Sequence, residues 1–480
     1  MVGAIVAAAA CSTESSTDEP QLLSREKLLD PETCRACHAD HVADWEGSMH
    51  AQAADDPVFI AMNQRAQRES NGQVGTFCVN CHAPLAVREG LTKDGLNLAS
   101  IPAKMKGITC FYCHSVDAVE GTHDNPLRLA KDNVIRGPIA NPMENKAHRS
   151  TYSVLHDRDK ADSAAMCGSC HDIGAPPANI ERTFSEWQES VFSHPGGATC
   201  GQCHMSQSAS EHPIAAVEGA PARRFHRHTF AAVDVALHDA PAKDVQRAEI
   251  QSLLDSSLQS AVCVKDLGTS SEIRVIVDNV AAGHSFPSGS APDRRLWAEV
   301  VATKGDQVLF KSGVVDGAIQ APDVTKLGDA NMWLMRDCLF KEDGAYTPFL
   351  WEGKSFESRL LPAQITFDPL DPRFYQTHIV QYFPRTGQID GVPDKVTLRM
   401  RLQTIGHDML NELVASGDLD ANLANQVPTF DVGKMVEWTK ETAEGSRYFE
   451  GPIPVTCVTL TNLNIAAQKF DAPAPVKCSP

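Results

Sequence analysis

The sequence has no apolar run approaching the roughly 20 residues that a membrane-spanning helix needs. It has no surplus of positive charge either. Lys and Arg number 43 against 61 Asp and Glu, which gives a net charge of −18. That excludes nucleic acid as a partner, because phosphate binding needs clustered basic residues. The chain is not poor in apolar residues: they make up 42%, with 22% charged, which excludes a disordered composition. Its 480 residues leave room for more than one domain.

Cysteine is what the sequence has in unusual arrangement. Ten of the 15 cysteines fall in five copies of Cys-x-x-Cys-His. The copies are Cys34-Arg-Ala-Cys37-His38, Cys78-Val-Asn-Cys81-His82, Cys110-Phe-Tyr-Cys113-His114, Cys167-Gly-Ser-Cys170-His171 and Cys200-Gly-Gln-Cys203-His204. Two thiols at this spacing reach both vinyl groups of one haem and form thioethers, and the adjacent His then lies under the iron. A zinc ribbon pairs such motifs into four-ligand sites, which an odd number does not suit. A redox dithiol does not require the His. The pattern predicts five covalently bound haem c groups. Their thioethers fall at Cys34, Cys37, Cys78, Cys81, Cys110, Cys113, Cys167, Cys170, Cys200 and Cys203. Their proximal iron ligands are His38, His82, His114, His171 and His204.

The five motifs crowd into residues 34–204. So little chain per haem predicts that the porphyrins themselves are the core, wrapped by loops and short helices such as 57–68 and 185–192. The short gaps between motifs predict that successive haems are neighbours. Past residue 237 the character changes. Ile273–Val277 and Val396–Leu402 alternate at period two, and Trp297–Phe310 reads as a hairpin with a Gly-bearing turn. Pro454–Leu460 reads as a late strand, while helices are expected at 245–259 and 407–415, the latter stopped by Gly417. The fold class is α+β: a mostly helical and loop pentahaem domain on stacked haems, then a β-sandwich-like domain without haem motifs. The expected divisions are 1–22, 23–240 and 241–480.

The small apolar residues before Cys11 resemble the end of a secretory signal and a bacterial lipoprotein cleavage site. The expectation is export to the periplasm, outer membrane or cell surface, with Cys11 lipidated and the polar residues after it a tether. Cys263, Cys338, Cys457 and Cys478 remain. An exported chain can oxidise them, and four cysteines allow three pairings.

Each iron has a sixth position, and histidine is its expected occupant. His226 and His228 sit two apart, so a strand would turn both to one side and a helix would separate them. At least one is expected to ligate. His41 is expected on a helix surface, His123 in a loop, and His378 and His407 in structural roles. Met49, Met62 and Met205 are expected to pack.

Several segments resemble the multihaem cytochromes of the hydroxylamine-oxidoreductase and pentahaem-nitrite-reductase superfamily. They are Trp45-Glu-Gly-Ser48-Met-His50, Gly107-Ile-Thr-Cys110, Glu186-Trp187-Gln-Glu-Ser190 before Thr199-Cys200, and Ala282-Gly-His284-Ser-Phe-Pro287-Ser-Gly289. The resemblance runs from about Cys34 to Trp297. It implies that His50 and His148 cap haems, marks the stretch Arg224–Phe230 that holds His226 and His228, and makes His284 a further distal ligand reaching across the domain boundary. The chain departs from the nitrite reductases, which carry one Cys-x-x-Cys-Lys, because all five motifs here end in His. It also lacks the eight haems of hydroxylamine oxidoreductase.

These readings converge on an electron carrier between exported redox proteins, either other cytochromes or a membrane quinol-linked complex, held to the membrane by its lipid. A multihaem oxidoreductase acting on a small nitrogen or sulfur compound at one open haem is the alternative. A scaffold docked through its β half is a third.

Overall fold

A computed structural model of the chain describes residues 22–175, 178–315, 328–444, 447–459, 470–471 and 478. Cys11 and its tether lie outside the described residues. In the first half, short local signals set short elements. Asp56 accepts from the Phe59 N–H at 2.8 Å and Pro57 occupies the first turn, so helix α1 runs Pro57–Glu69. Helix α2, Thr183–Glu189, starts earlier and ends sooner than the expected 185–192. Ser190 is extended there and its hydroxyl accepts from the Phe192 N–H, which leaves 191–193 as a single 3₁₀ turn. Between the two helices lies a two-stranded ladder, β1 (Ile173–Ala175) against β2 (Ala178–Glu181).

The first half is not without an apolar core, contrary to expectation. Leu28, Leu85, Leu98, Phe111, Tyr112, Val116 and Leu127 belong to one buried cluster. The antiparallel pair Val116–Val119 and Leu127–Leu129 folds the chain after the third motif back over it.

In the second half α3, Lys243–Ser257, leads directly into β3, Leu258–Asp266. Then follow β4 (Ser270–Asn279), β5 (Arg295–Lys304), β6 (Gln307–Ser312), β7 (His378–Phe383), β8 (Lys395–Gln403), β9 (Thr429–Thr439), β10 (Arg447–Glu450) and β11 (Ile453–Thr459). The expected hairpin is β5–β6, and the expected late strand is β11, whose neighbour Leu460 lies outside the described residues. One sheet runs β10-β11-β3-β4-β7 and another β6-β5-β8-β9. Val262, Val275 and Val277 of the first meet Leu296, Val300, Leu398 and Leu402 of the second in one core. Alternation in β8 follows from this: Val396, Leu398, Met400 and Leu402 are buried and face the core. Helix α4 spans the expected His407–Ala415, and its Met409, Leu410 and Leu413 pack on Val58 and Ala61 of α1. The two halves therefore share an apolar contact. The four remaining cysteines pair as Cys263–Cys457, which joins facing residues of β3 and β11, and Cys338–Cys478.

Candidate metal centres

Each Cys-x-x-Cys-His sits on one helical turn. The backbone N–H of His38 donates to the Cys34 carbonyl at 2.8 Å, that of His82 to Cys78 at 3.2 Å and that of His171 to Cys167 at 3.0 Å. Cys110–His114 and Cys200–His204 are helical outright, each started by a threonine cap, Thr109 and Thr199. One turn puts both thiols and the imidazole on a common side. All ten motif cysteines are unpaired.

The imidazoles are oriented from behind. Nδ1 of His38 lies 3.0 Å from the Ile214 carbonyl, that of His82 2.9 Å from Ala53 and that of His204 2.7 Å from Ala231. Nδ1 of His114 meets the Arg136 carbonyl, and Nδ1 of His171 meets the Glu181 carboxylate at 3.0 Å. A carbonyl only accepts, so in those four Nδ1 carries the proton and Nε2 is left with its lone pair bare. That is how a metal-binding histidine is held.

Three proximal rings are faced by a second imidazole. His38 faces His148 with ring centroids 6.4 Å apart, His171 faces His50 at 6.3 Å, and His114 faces His228 at 6.4 Å. Metal–imidazole bonds of about 2 Å on each side of one ion, with the rings' own radii, place ligating rings roughly 6 Å apart. Nδ1 of His148 lies near the Arg149 carbonyl and the Ser150 hydroxyl, and Nδ1 of His228 donates to the His226 carbonyl at 2.9 Å. Their Nε2 atoms are thus free. Nδ1 of His50 is buried with no partner among the described residues. Burial, with His171 beside it, holds the His50 pKa down to about 3, and burial with His114 holds His228 at about 4. Both are neutral near pH 7, as ligation requires.

His284 is oriented the same way, with Nδ1 donating to the Ser285 carbonyl at 2.8 Å. Burial holds its pKa down to about 4, with His204 the first histidine charge acting on it. His226 is placed differently. Its Nε2 is 3.0 Å from the Gln207 amide at the rim, so the strand Ala222–His226 ends before the chain turns His228 inward. Among the described residues no imidazole faces His82 at the 6.3–6.4 Å spacing; the Phe59 ring lies parallel to its ring at 3.8 Å.

The segments that carried the resemblance form two matching clamps. The Trp45 indole donates to the Ile108 carbonyl at 2.7 Å, two residues before Cys110, and the Ser48 hydroxyl donates to the Trp45 carbonyl. The Trp187 indole donates to the Ala198 carbonyl at 2.9 Å, two residues before Cys200, and the Ser190 hydroxyl donates to the Trp187 carbonyl. Gly107 and Gly197 stand alike three residues before their motifs, where a Cβ would strike the backbone of His50 and of Phe192. The second clamp therefore has Phe192 where the first has His50. Against that ring packs Gly283, in the left-handed conformation at φ 75°, one residue before His284. The loop is pinned to α2: Glu186 accepts from the Ser285 N–H at 3.2 Å and the Ser288 hydroxyl at 3.1 Å, and Thr183 from the Gly289 N–H at 3.0 Å.

Thiols of different motifs lie near one another, and not only those of motifs successive in sequence. Cys34 meets Cys110, Cys81 meets Cys170, and Cys167 meets Cys200, while Cys113 lies within electrostatic reach of Cys167. Motif one thus adjoins three, and motif four adjoins two, three and five. Motifs three and four, and four and five, are neighbours in sequence as well, whereas one and three, and two and four, are not. All five motif histidines, with His50, His148, His226, His228 and His284, line one cavity of about 2200 Å³. A single-ligand pocket reaches about 1,000 Å³. Cavity, unpaired thiols and bare Nε2 atoms fit several haems.

Two histidines are placed otherwise than expected or went unnoticed. His41, expected on a helix surface, lies edge-on to both His38 and His228, because its helix (Ala39–Glu46) lies against the cavity. His156 stacks 5.4 Å from His114 with Nε2 donating to the Cys113 carbonyl, and no motif spacing signals it. His123 keeps to a loop, bonded to the Asp172 carbonyl. His378 pairs with Asp278, and His407 is buried at the start of α4. Met49, Met62 and Met205 line the cavity.

Residues 33–115, which hold the first three motifs, match the family model described as cytochrome c554 and c-prime. The fold is similar to the crystal structure of a penta-heme cytochrome c552 from Thermochromatium tepidum, with a TM-score of 0.56 and 19% identity over 86% of this chain and 99% of that one. No curated protein matches the sequence. These findings support a multihaem c-type cytochrome.

Proposed function

We propose that the chain is an exported pentahaem cytochrome that passes electrons between redox proteins, other cytochromes or a membrane quinol-linked complex. The observation that carries this reading is the set of three facing imidazole pairs, His38–His148, His171–His50 and His114–His228, at one spacing. When bound, haem supplies reversible one-electron iron chemistry. The chain's residues fix where it is held. Ten thiols attach it, Nδ1 anchors orient the proximal rings, and His50, His148, His228 and His284 stand on the distal side, with His226 at the rim. Thr183 and Glu186 of α2 hold the loop that carries His284. The attachment sites run from motif one through three to four and branch there to two and five. Lipidation at Cys11 and a division near residue 240, ahead of α3, belong to the same reading. The net charge of −18 favours basic partners and salt-sensitive encounter. The kinship to the hydroxylamine-oxidoreductase and nitrite-reductase superfamily also belongs here, supported by the two Trp-Ser clamps.

A second reading, an oxidoreductase acting on a small nitrogen or sulfur compound, is favoured by one observation: His82 has Phe59 beside it and no facing imidazole among the described residues. Carbon monoxide added to the reduced protein separates the two. A carrier with every iron six-coordinate leaves the spectrum unchanged; an open iron over His82 shifts about one fifth of it. The mass of the acetone-extracted chain should show five covalent haems, and fewer would defeat the attachment of those missing.

A further inference from the structure

Four of the five proximal histidines give their Nδ1 proton to a backbone carbonyl, and the fifth does not. His171 meets the carboxylate of Glu181 at 3.0 Å. Glu181 ends strand β2 opposite Ile173, and its side chain is 12% exposed, so water screens its charge poorly. A carbonyl dipole orients an imidazole. A carboxylate also draws the shared proton toward itself and leaves the ring closer to imidazolate, which makes it a more basic ligand. A more basic axial ligand favours ferric over ferrous iron and lowers the reduction potential.

The position of this one exception matters. Motif four is where the attachment sites converge: Cys170 meets Cys81 of motif two, Cys167 meets Cys200 of motif five, and Cys113 of motif three is close by. We propose that Glu181 is a positioning residue that acts through His171 to give the haem of motif four the lowest potential of the five, at the junction of the array. A low potential at a junction acts on every route through it. Electrons held at motifs two, three or five would meet an uphill site between them, so exchange among those branches is slowed relative to exchange within each. The inference rests on the haem-attachment reading above.

Glu181→Gln keeps an amide oxygen that can accept from Nδ1 and removes the charge. In a spectroelectrochemical titration of the full haem-loaded chain, the most negative of the five steps should rise, with its ferrous-to-ferric ratio at fixed potential growing at least tenfold, about 59 mV for one electron. The other four should stay in place. Five unmoved steps, or a rise in any other step, overturn the proposal. Near-infrared magnetic circular dichroism of the wild type gives a measurement independent of the variant's folding, because imidazolate and imidazole ligation absorb at different energies. One low-spin haem of histidinate character supports the proposal, and five of neutral character overturn it. Mass spectrometry keeps the two readings apart. A wild-type chain without haem on Cys167 and Cys170 removes the attachment reading and this inference with it, whereas a loaded chain with unmoved potentials removes the inference alone.

Discussion

An imidazole can ligate iron only through a nitrogen that carries no proton, so what holds the far nitrogen decides the role of the ring. By this criterion His148, His228 and His284 resemble the proximal histidines, with Nδ1 anchored and Nε2 bare. His226 and His156 are anchored at Nε2 instead. His148→Ala, His228→Ala, His50→Ala and His284→Ala should each convert one of five haems from low to high spin and open it to carbon monoxide, and His226→Ala should convert none. Electron paramagnetic resonance and the carbon monoxide difference spectrum check this; an unchanged low-spin count in His284→Ala would remove that residue from the distal set. The five Cys-x-x-Cys-His motifs were legible in the sequence because each is local, its five residues sharing one turn. The imidazoles that face them lie 110 to 121 residues away in the chain, and no spacing rule connects the two. The signal for them was the family resemblance, carried by the segment Trp45–His50 for His50, the stretch Arg224–Phe230 for His228 and the segment Ala282–Gly289 for His284, and extending to His148.

At the scale of elements, regular periodicity was readable and short irregular pieces were not. Strand β8 and helix α4 lie where alternation and the stop at Gly417 put them, since each buries one face of a sustained pattern. Strand β2 has four residues and no such pattern, so the position of Glu181 behind His171 was not legible. The joint between α2 and the His284 loop carries a consequence for pH. Burial raises the Glu186 pKa from its ordinary 4.5 to about 7, against Arg182 and the Ser288 and Ser285 hydrogen bonds that lower it, while Asp337 raises it further. The folded protein therefore keeps a proton that the unfolded chain gives up, and stability falls as pH rises from about 4.5 to about 7. Glu186→Gln should be neutral near pH 4 and stabilising above pH 7, by at most a few kcal/mol at about 1.4 kcal/mol per unit. Thermal melts of both chains across pH 4–8 test the sign, and a gap that shrinks with rising pH contradicts it.

The whole molecule joins two kinds of core. In the second half two sheets close on each other with Leu296, Val300, Leu398 and Leu402 buried between them. In the first half an apolar cluster lies beside a cavity of about 2200 Å³ whose walls are thiols and imidazoles as much as hydrocarbon. Filling that space is part of folding there and not in the β half, on the same logic by which metal binding becomes folding energy in small metal domains. A chain made without haem attachment should lose its first 240 residues to limited proteolysis while a fragment carrying β3 to β11 persists; equal digestion of both halves would show that the sheets also depend on the cofactor. The spatial order of the motifs bears on how such a chain is made. On the proposed reading, a chain threaded from its N-terminus brings Cys110 to Cys34 only when motif three arrives, and Cys170 to Cys81 only when motif four arrives. The contact of motif one closes with the third motif, that of motif two with the fourth, and that of motif five last. Motif two therefore waits longest for its neighbour, until Cys170 follows, and that wait is the stretch of synthesis in which a wrong partner has most time to reach its thiols.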